Sequence, residues 1–168
     1  MLSKNLRFIY LLSAISLPFL ILASPAWMTL QGVAPCWPIL WLLPWSLQFG
    51  PKAGLIAGLC LGLLGDAITL GGATQVLALT ILGFWWGRIG KKGLPINLSL
   101  NLGLLAWIGT ILFGLTVWMQ LYIFHGIAFS SWFNAWAFHT LFSKAIITAL
   151  LAPIISSWLL LAASKRFA

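Results

Sequence analysis

Apolar residues run along this chain in six blocks, and polar or helix-breaking residues collect in the gaps between them. The blocks fall at about 8–28, 35–49, 52–70, 74–89, 97–123 and 138–163. The gaps hold Pro25, Gly32 and Pro35, then Gly50-Pro51, then Gly71-Gly72, then Gly90 through Pro95, then the polar stretch from His125 to Asn134. Several blocks are long enough for a helix to cross a hydrocarbon core of about 30 Å. The pattern predicts an all-α integral membrane protein, six transmembrane helices in one bundle, forming a single polytopic domain over residues 1–168.

The second block, PCWPILWLLPWSLQFG, is the odd one, with Pro38 and Pro44 inside it. At about 1.5 Å per residue it reaches only about 21 Å, less than the hydrocarbon core. A short, tilted or broken helix shielded by its neighbours is expected there. Broken helices also line binding sites in transporters, which keeps a functional alternative open.

Composition sharpens the membrane reading. The chain is 62% hydrophobic and 6% charged, with a mean hydropathy of +1.07, whereas soluble domains carry roughly a quarter charged residues. The net charge of +8 does not point to nucleic acid, because the basic residues sit at the ends of apolar blocks and not on a polar face. With six crossings and a cytoplasmic N-terminus, Lys4, Arg7, Lys52, Arg88, Lys91, Lys92, Lys165 and Arg166 all fall on the cytoplasmic side, as the positive-inside rule requires. Both termini are therefore expected in the cytoplasm, and Lys144 is the exception. Trp27, Trp37, Trp132 and Trp136 then fall near the outer interface, and Trp45, Trp85, Trp86 and Trp158 near the inner one. Lys4 and Arg7 ahead of an apolar run and Ala23-Ser24-Pro25-Ala26 faintly resemble a signal peptide. Pro25 spoils the small-residue site and the apolar run continues at Trp27, so the first block is expected to remain.

Asp66 is the only acidic side chain in the sequence. It follows Gly54, Gly58 and Gly62 at four-residue spacing, which keeps all four near one helical face. The glycines form a smooth strip for close helix packing, and Asp66 extends it toward protein and away from lipid. About 21 Å along the helix from Lys52, Asp66 lies in the outer half of the bilayer, where a carboxylate is costly unless paired, hydrated or neutralised. One expectation is an intramembrane ion pair between Asp66 and Lys144. The other is that Lys144 snorkels to the interface while Asp66 caps the turn from Thr69 to Gly72. Gly83 and Gly87 repeat the small-residue spacing, and Asn97, Asn101 and Gln120 are expected to make interhelical hydrogen bonds.

Catalytic chemistry finds little footing. His125 and His139 flank the outer loop, but a zinc site needs more ligands at suitable spacing, and only Asp66 could join them. Ser130 and Ser131 have no carboxylate nearby in sequence and no nucleophile-elbow pattern. Cys36 and Cys60 have no metal or disulfide spacing and are expected to be small buried side chains. No enzyme, metal or cofactor is expected.

The order of these features resembles a known family. Residues 34–92 run from the Pro/Trp-rich second block through the glycine ladder Gly54, Gly58, Gly62 and Asp66 to the basic cluster Arg88, Lys91 and Lys92. This stretch, about a third of the chain, is similar to the rod shape-determining MreD proteins, particularly cyanobacterial ones. The remainder agrees in length, hydropathy and a basic C-terminus. The resemblance implies a non-enzymatic, multi-pass component of the bacterial inner (plasma) membrane, acting in cell shape and peptidoglycan elongation. It implies as partners an MreC-like scaffold, an MreB-like filament and peptidoglycan synthases, besides the lipid bilayer. MreD proteins also look similar in fold to the substrate-binding subunits of vitamin-type transporters, the alternative function. Cytoplasmic loops of under about ten residues cannot cover a standard interface of about 800 Å² per partner. Partners would therefore dock through helix faces, tails or the outer loop 125–137.

Overall fold

The computed structural model of the chain describes residues 18–19, 29, 32–69, 73–91, 99–125 and 135–164. Within them five α-helices make up the fold: α1 (Trp37–Phe49), α2 (Pro51–Ile68), α3 (Val76–Lys91), α4 (Ser99–His125) and α5 (Ala135–Ser164). Each lies within three residues of an apolar block predicted above. The first block, 8–28, lies outside the described residues apart from Pro18 and Phe19, which are helical.

Two antiparallel pairs frame the bundle, α2 with α3 and α4 with α5, and α1 packs against all four. Its position follows from its composition. Every residue from Trp37 to Leu47 is buried, so no face of α1 is left for lipid. Pro44 inside the helix has no N–H to give the carbonyl one turn back. Such a defect is tolerated at membrane depth only where surrounding protein covers it. Ser46, itself buried, donates its hydroxyl to the Leu42 carbonyl at 2.6 Å. At the far end Gly50 adopts φ +83°, a left-handed conformation that glycine reaches without strain. That single residue turns the chain from α1 directly into α2, with Pro51 pre-set for the first helical turn.

The other helices carry large apolar side chains outward. Ile56 and Leu63 on α2, Ile81 on α3, Leu104 on α4 and Leu150 and Ile154 on α5 are all exposed. Pro51–Ile68, Leu100–Phe124 and Ala137–Ser157 are long and apolar enough to cross a membrane. An apolar exterior over a packed interior, in helices of this length, identifies a helical membrane protein. The shorter α1 and α3, of 13 and 16 residues, are held within it by their neighbours.

Three tryptophans depart from the interfacial belts drawn from the sequence. Trp37, Trp45 and Trp86 belong to the core, and Trp86 is 0% exposed. Its indole lies against Gly109 of α4, where a side chain would collide with it. Trp41 and Trp45 stack at 5.3 Å between ring centroids. The reason is volume: a short buried helix surrounded by glycine-rich partners needs large side chains to fill the space between them. Trp85, by contrast, faces outward.

Candidate functional site

The seam between α2 and α3 is built from glycine. A methyl group at Gly54 would strike the carbonyl of Gly83, one at Gly58 the backbone of Leu79 and Thr80, and one at Gly62 the backbone of Val76. Gly83 meets Gly54 in return, and Gly87 meets Gly50 and Pro51. The backbones touch, as small-residue faces permit in lipid. The buried face of α2 is Gly54, Ala57, Gly58, Leu61, Gly62 and Gly65. Its spacings of three and one in alternation are the i, i+3, i+4, i+7 pattern that tracks the 3.6-residue turn. A strict four-residue ladder drifts around the helix, which leaves Asp66 half-buried at the edge of the strip while Gly65 completes it.

From that edge Asp66 reaches the start of α3. The backbone N–H of Gln75 donates to Asp66 Oδ1 at 2.7 Å, and the Gln75 carbonyl accepts from Leu79 N–H at 3.1 Å to open the helix. Asp66 thus caps a helix other than its own. A carboxylate in the last turn of α2 faces the negative end of that helix's dipole. The antiparallel packing brings the positive end of α3 beside it, and a charged acceptor strengthens the bond. Gln75 closes the corner by donating Nε2–H to Thr69 Oγ1 at 2.9 Å. Gln120 of α4 clasps the same link. It accepts the Thr74 N–H at Oε1, 2.7 Å, and donates from Nε2 to the Thr74 carbonyl at 3.0 Å.

Lys144 takes a different place. Its ammonium lies 5.8 Å from the centroid of the Phe113 ring, within cation–π range, while Asp66 is engaged by Gln75. The physical reason lies in the architecture. Asp66 sits in the α2–α3 pair and Lys144 in the α4–α5 pair, with α1 packed between them. The bond that Asp66 accepts comes from Gln75, and of the turn from Thr69 to Gly72, residues 70–72 lie outside the described residues.

Lys144 lines a cavity of about 570 Å³ between α1, the ends of α2 and α4, and the beginning of α5. Its walls include Cys36, Trp37, Thr69, Gln75 and Thr110. Its floor is the start of α1, where Cys36 N–H donates to Thr148 Oγ1 at 3.0 Å and the Thr148 hydroxyl donates to the Lys144 carbonyl at 2.6 Å. Gln75 and Lys144 are among its wall residues, whereas Asp66 and Thr80 are not. The indole N–H of Trp37 is buried with no acceptor.

At the opposite end of the bundle Arg88 lies over the Phe84 ring at 6.0 Å, and Lys91 packs its stem against Gly50. Lys92 lies outside the described residues. Cys36 is buried, but Cys60 is exposed on α2, contrary to the expectation for both. Among the described residues no group of three or more His, Cys, Asp or Glu side chains could hold a metal ion. Of the loop 125–137, residues 126–134 lie outside the described residues. No family model, curated protein or solved structure matches the chain.

Proposed function

We propose that the chain is a non-enzymatic scaffold of the bacterial cell-wall elongation machinery, an MreD-like protein of the inner membrane that acts in rod-shape determination. Support comes from one observation above others. The stretch that carries the resemblance, residues 34–92, includes α1, α2 and α3, which pack on one another through the glycine seam and the buried tryptophans. In this reading six helices cross the membrane with both termini in the cytoplasm. Lys52, Arg88 and Lys91 gather at one end of the bundle, in keeping with a cytoplasmic face. MreC-like, MreB-like and peptidoglycan-synthase partners would meet outward helix faces, where large apolar side chains such as Ile56, Ile81 and Leu150 are exposed.

The test is depletion of the protein in its host, scored for cell shape together with co-purification of an MreC-like partner. Rounded or widened cells and a stable complex support the scaffold. Normal shape without the partner favours the second reading, a substrate-binding subunit of a small-molecule transporter, which draws its support from the cavity around Lys144.

A further inference from the structure

The chain contains one acidic side chain, and it is engaged by the Gln75 N–H at the start of α3. Lys144 therefore stands half-buried in the wall of a cavity with no second carboxylate in the sequence to neutralise it. A cation within a membrane bundle is retained where it has a partner, and the face of Phe113 supplies only part of one. Trp37 adds an independent observation. It is 6% exposed and lines the same cavity, and its Nε1–H finds no acceptor, a costly state for a buried donor. The cation lines this space and the orphan donor lies buried in its wall, and both lack the same thing, a negatively charged oxygen.

We propose that this cavity binds an oxyanion, carboxylate or phosphate, carried on an apolar body, with Lys144 as its counter-ion and the Trp37 indole as a hydrogen-bond donor. The volume of about 570 Å³ lies within the range of small-ligand sites. Phe113, Val117 and Leu141 supply apolar wall for the body. Thr69, Thr110 and Thr140 also line the cavity, their hydroxyls donating to the carbonyls of Gly65, Ala106 and Ala137. The same chemistry is presented by the headgroup of an anionic phospholipid and by a water-soluble organic acid. The proposal stands apart from the wall-elongation reading, since a scaffold can hold a lipid as readily as a transporter subunit holds a substrate.

Binding to the purified full-length chain in phosphatidylcholine nanodiscs tests it, read by native mass spectrometry. One arm compares phosphatidylglycerol with added phosphatidylcholine, and the other compares 4-phenylbutyrate with its neutral amide. The expected result is a preference of about tenfold or more for the anion in at least one arm, from a charge-assisted contact. Preference in the lipid arm alone assigns the site to a headgroup, and preference in the acid arm alone to a soluble ligand. Lys144→Gln removes the preference and Lys144→Arg retains it. Trp37→Phe, which leaves every charge in place, weakens it about threefold by loss of one hydrogen bond, separating the cavity from attraction to surface lysines. Equal binding of anion and neutral partner in both arms overturns the proposal, without reliance on any variant, and so does a preference that survives Lys144→Gln. Neither outcome bears on cell shape or on the MreC-like partner, so failure here and failure of the scaffold reading are separable.

Discussion

Asp66 and Gln75 join the end of α2 to the beginning of α3 through one bond of 2.7 Å, carboxylate to backbone N–H. Removing the carboxylate leaves that N–H without its partner. Asp66→Leu is expected to destabilise the bundle by about 1–3 kcal/mol. Asp66→Asn keeps an acceptor and loses the charge beside the helix dipole, so it should cost about 0.5–1 kcal/mol. Unfolding of the detergent-solubilised protein measures both, and equal losses for the two variants would argue that the carboxylate acts by charge alone.

Because Asp66 and Lys144 engage different groups, their substitutions should act independently. In the cycle Asp66→Asn, Lys144→Gln and the double variant, the losses are expected to add within about 0.5 kcal/mol. A double variant more stable than Asp66→Asn would restore the ion pair.

The glycine seam sets a second scale. Gly58→Ala drives a methyl into the backbone of α3, where nothing flexible can yield, and should cost about 1–3 kcal/mol or more. Gly103→Ala, whose methyl would meet the Ala149 carbonyl at 3.1 Å, should cost clearly less. Thermal midpoints of the two variants, compared side by side, decide the order.

Gln120 holds Thr74 by three hydrogen bonds at an exposed position. Gln120→Leu should change global stability by less than about 1 kcal/mol yet speed amide exchange at Thr74. Unchanged exchange there would mean that the link is held by Asp66 and the Gln75–Thr69 bond without Gln120.

Cys60 tests the bilayer itself. It is exposed on α2, about 12 Å along the helix from Lys52, on a face that lipid would cover. Thiol reagents attack the thiolate, which hydrocarbon does not support. A water-soluble maleimide should label neither Cys60 nor Cys36 in nanodiscs and both after unfolding in detergent. Rapid labelling of Cys60 in the bilayer would place that face in water.

What the sequence made legible was what repeats locally. The apolar blocks marked α1 through α5 to within a turn because each break is a proline, a glycine or a polar cluster that no helix continues through. Gly54, Gly58 and Gly62 were legible as a seam because spacing along one helix is a property of that helix. The partner of Asp66 was not, since it depends on how α3 returns against α2. A capping acceptor nine residues ahead of its donor leaves a weak trace, here a carboxylate upstream of Thr74 and Gln75. The burial of Trp37, Trp45 and Trp86 was hidden for another reason. An aromatic residue near a block end suits either an interface or a core, and only the packing of α1 among four helices separates them.

That packing carries a consequence for the order of assembly. During synthesis α1 leaves the ribosome before every helix that shelters it, including α5, whose Thr148 hydroxyl receives the Cys36 N–H. A thirteen-residue helix with an internal proline is poorly suited to wait alone in lipid, so it is the keystone that is made early and seated late. Chains truncated before α5 should leave it without its last wall, and quality-control proteases would meet it there as the chain's most vulnerable segment.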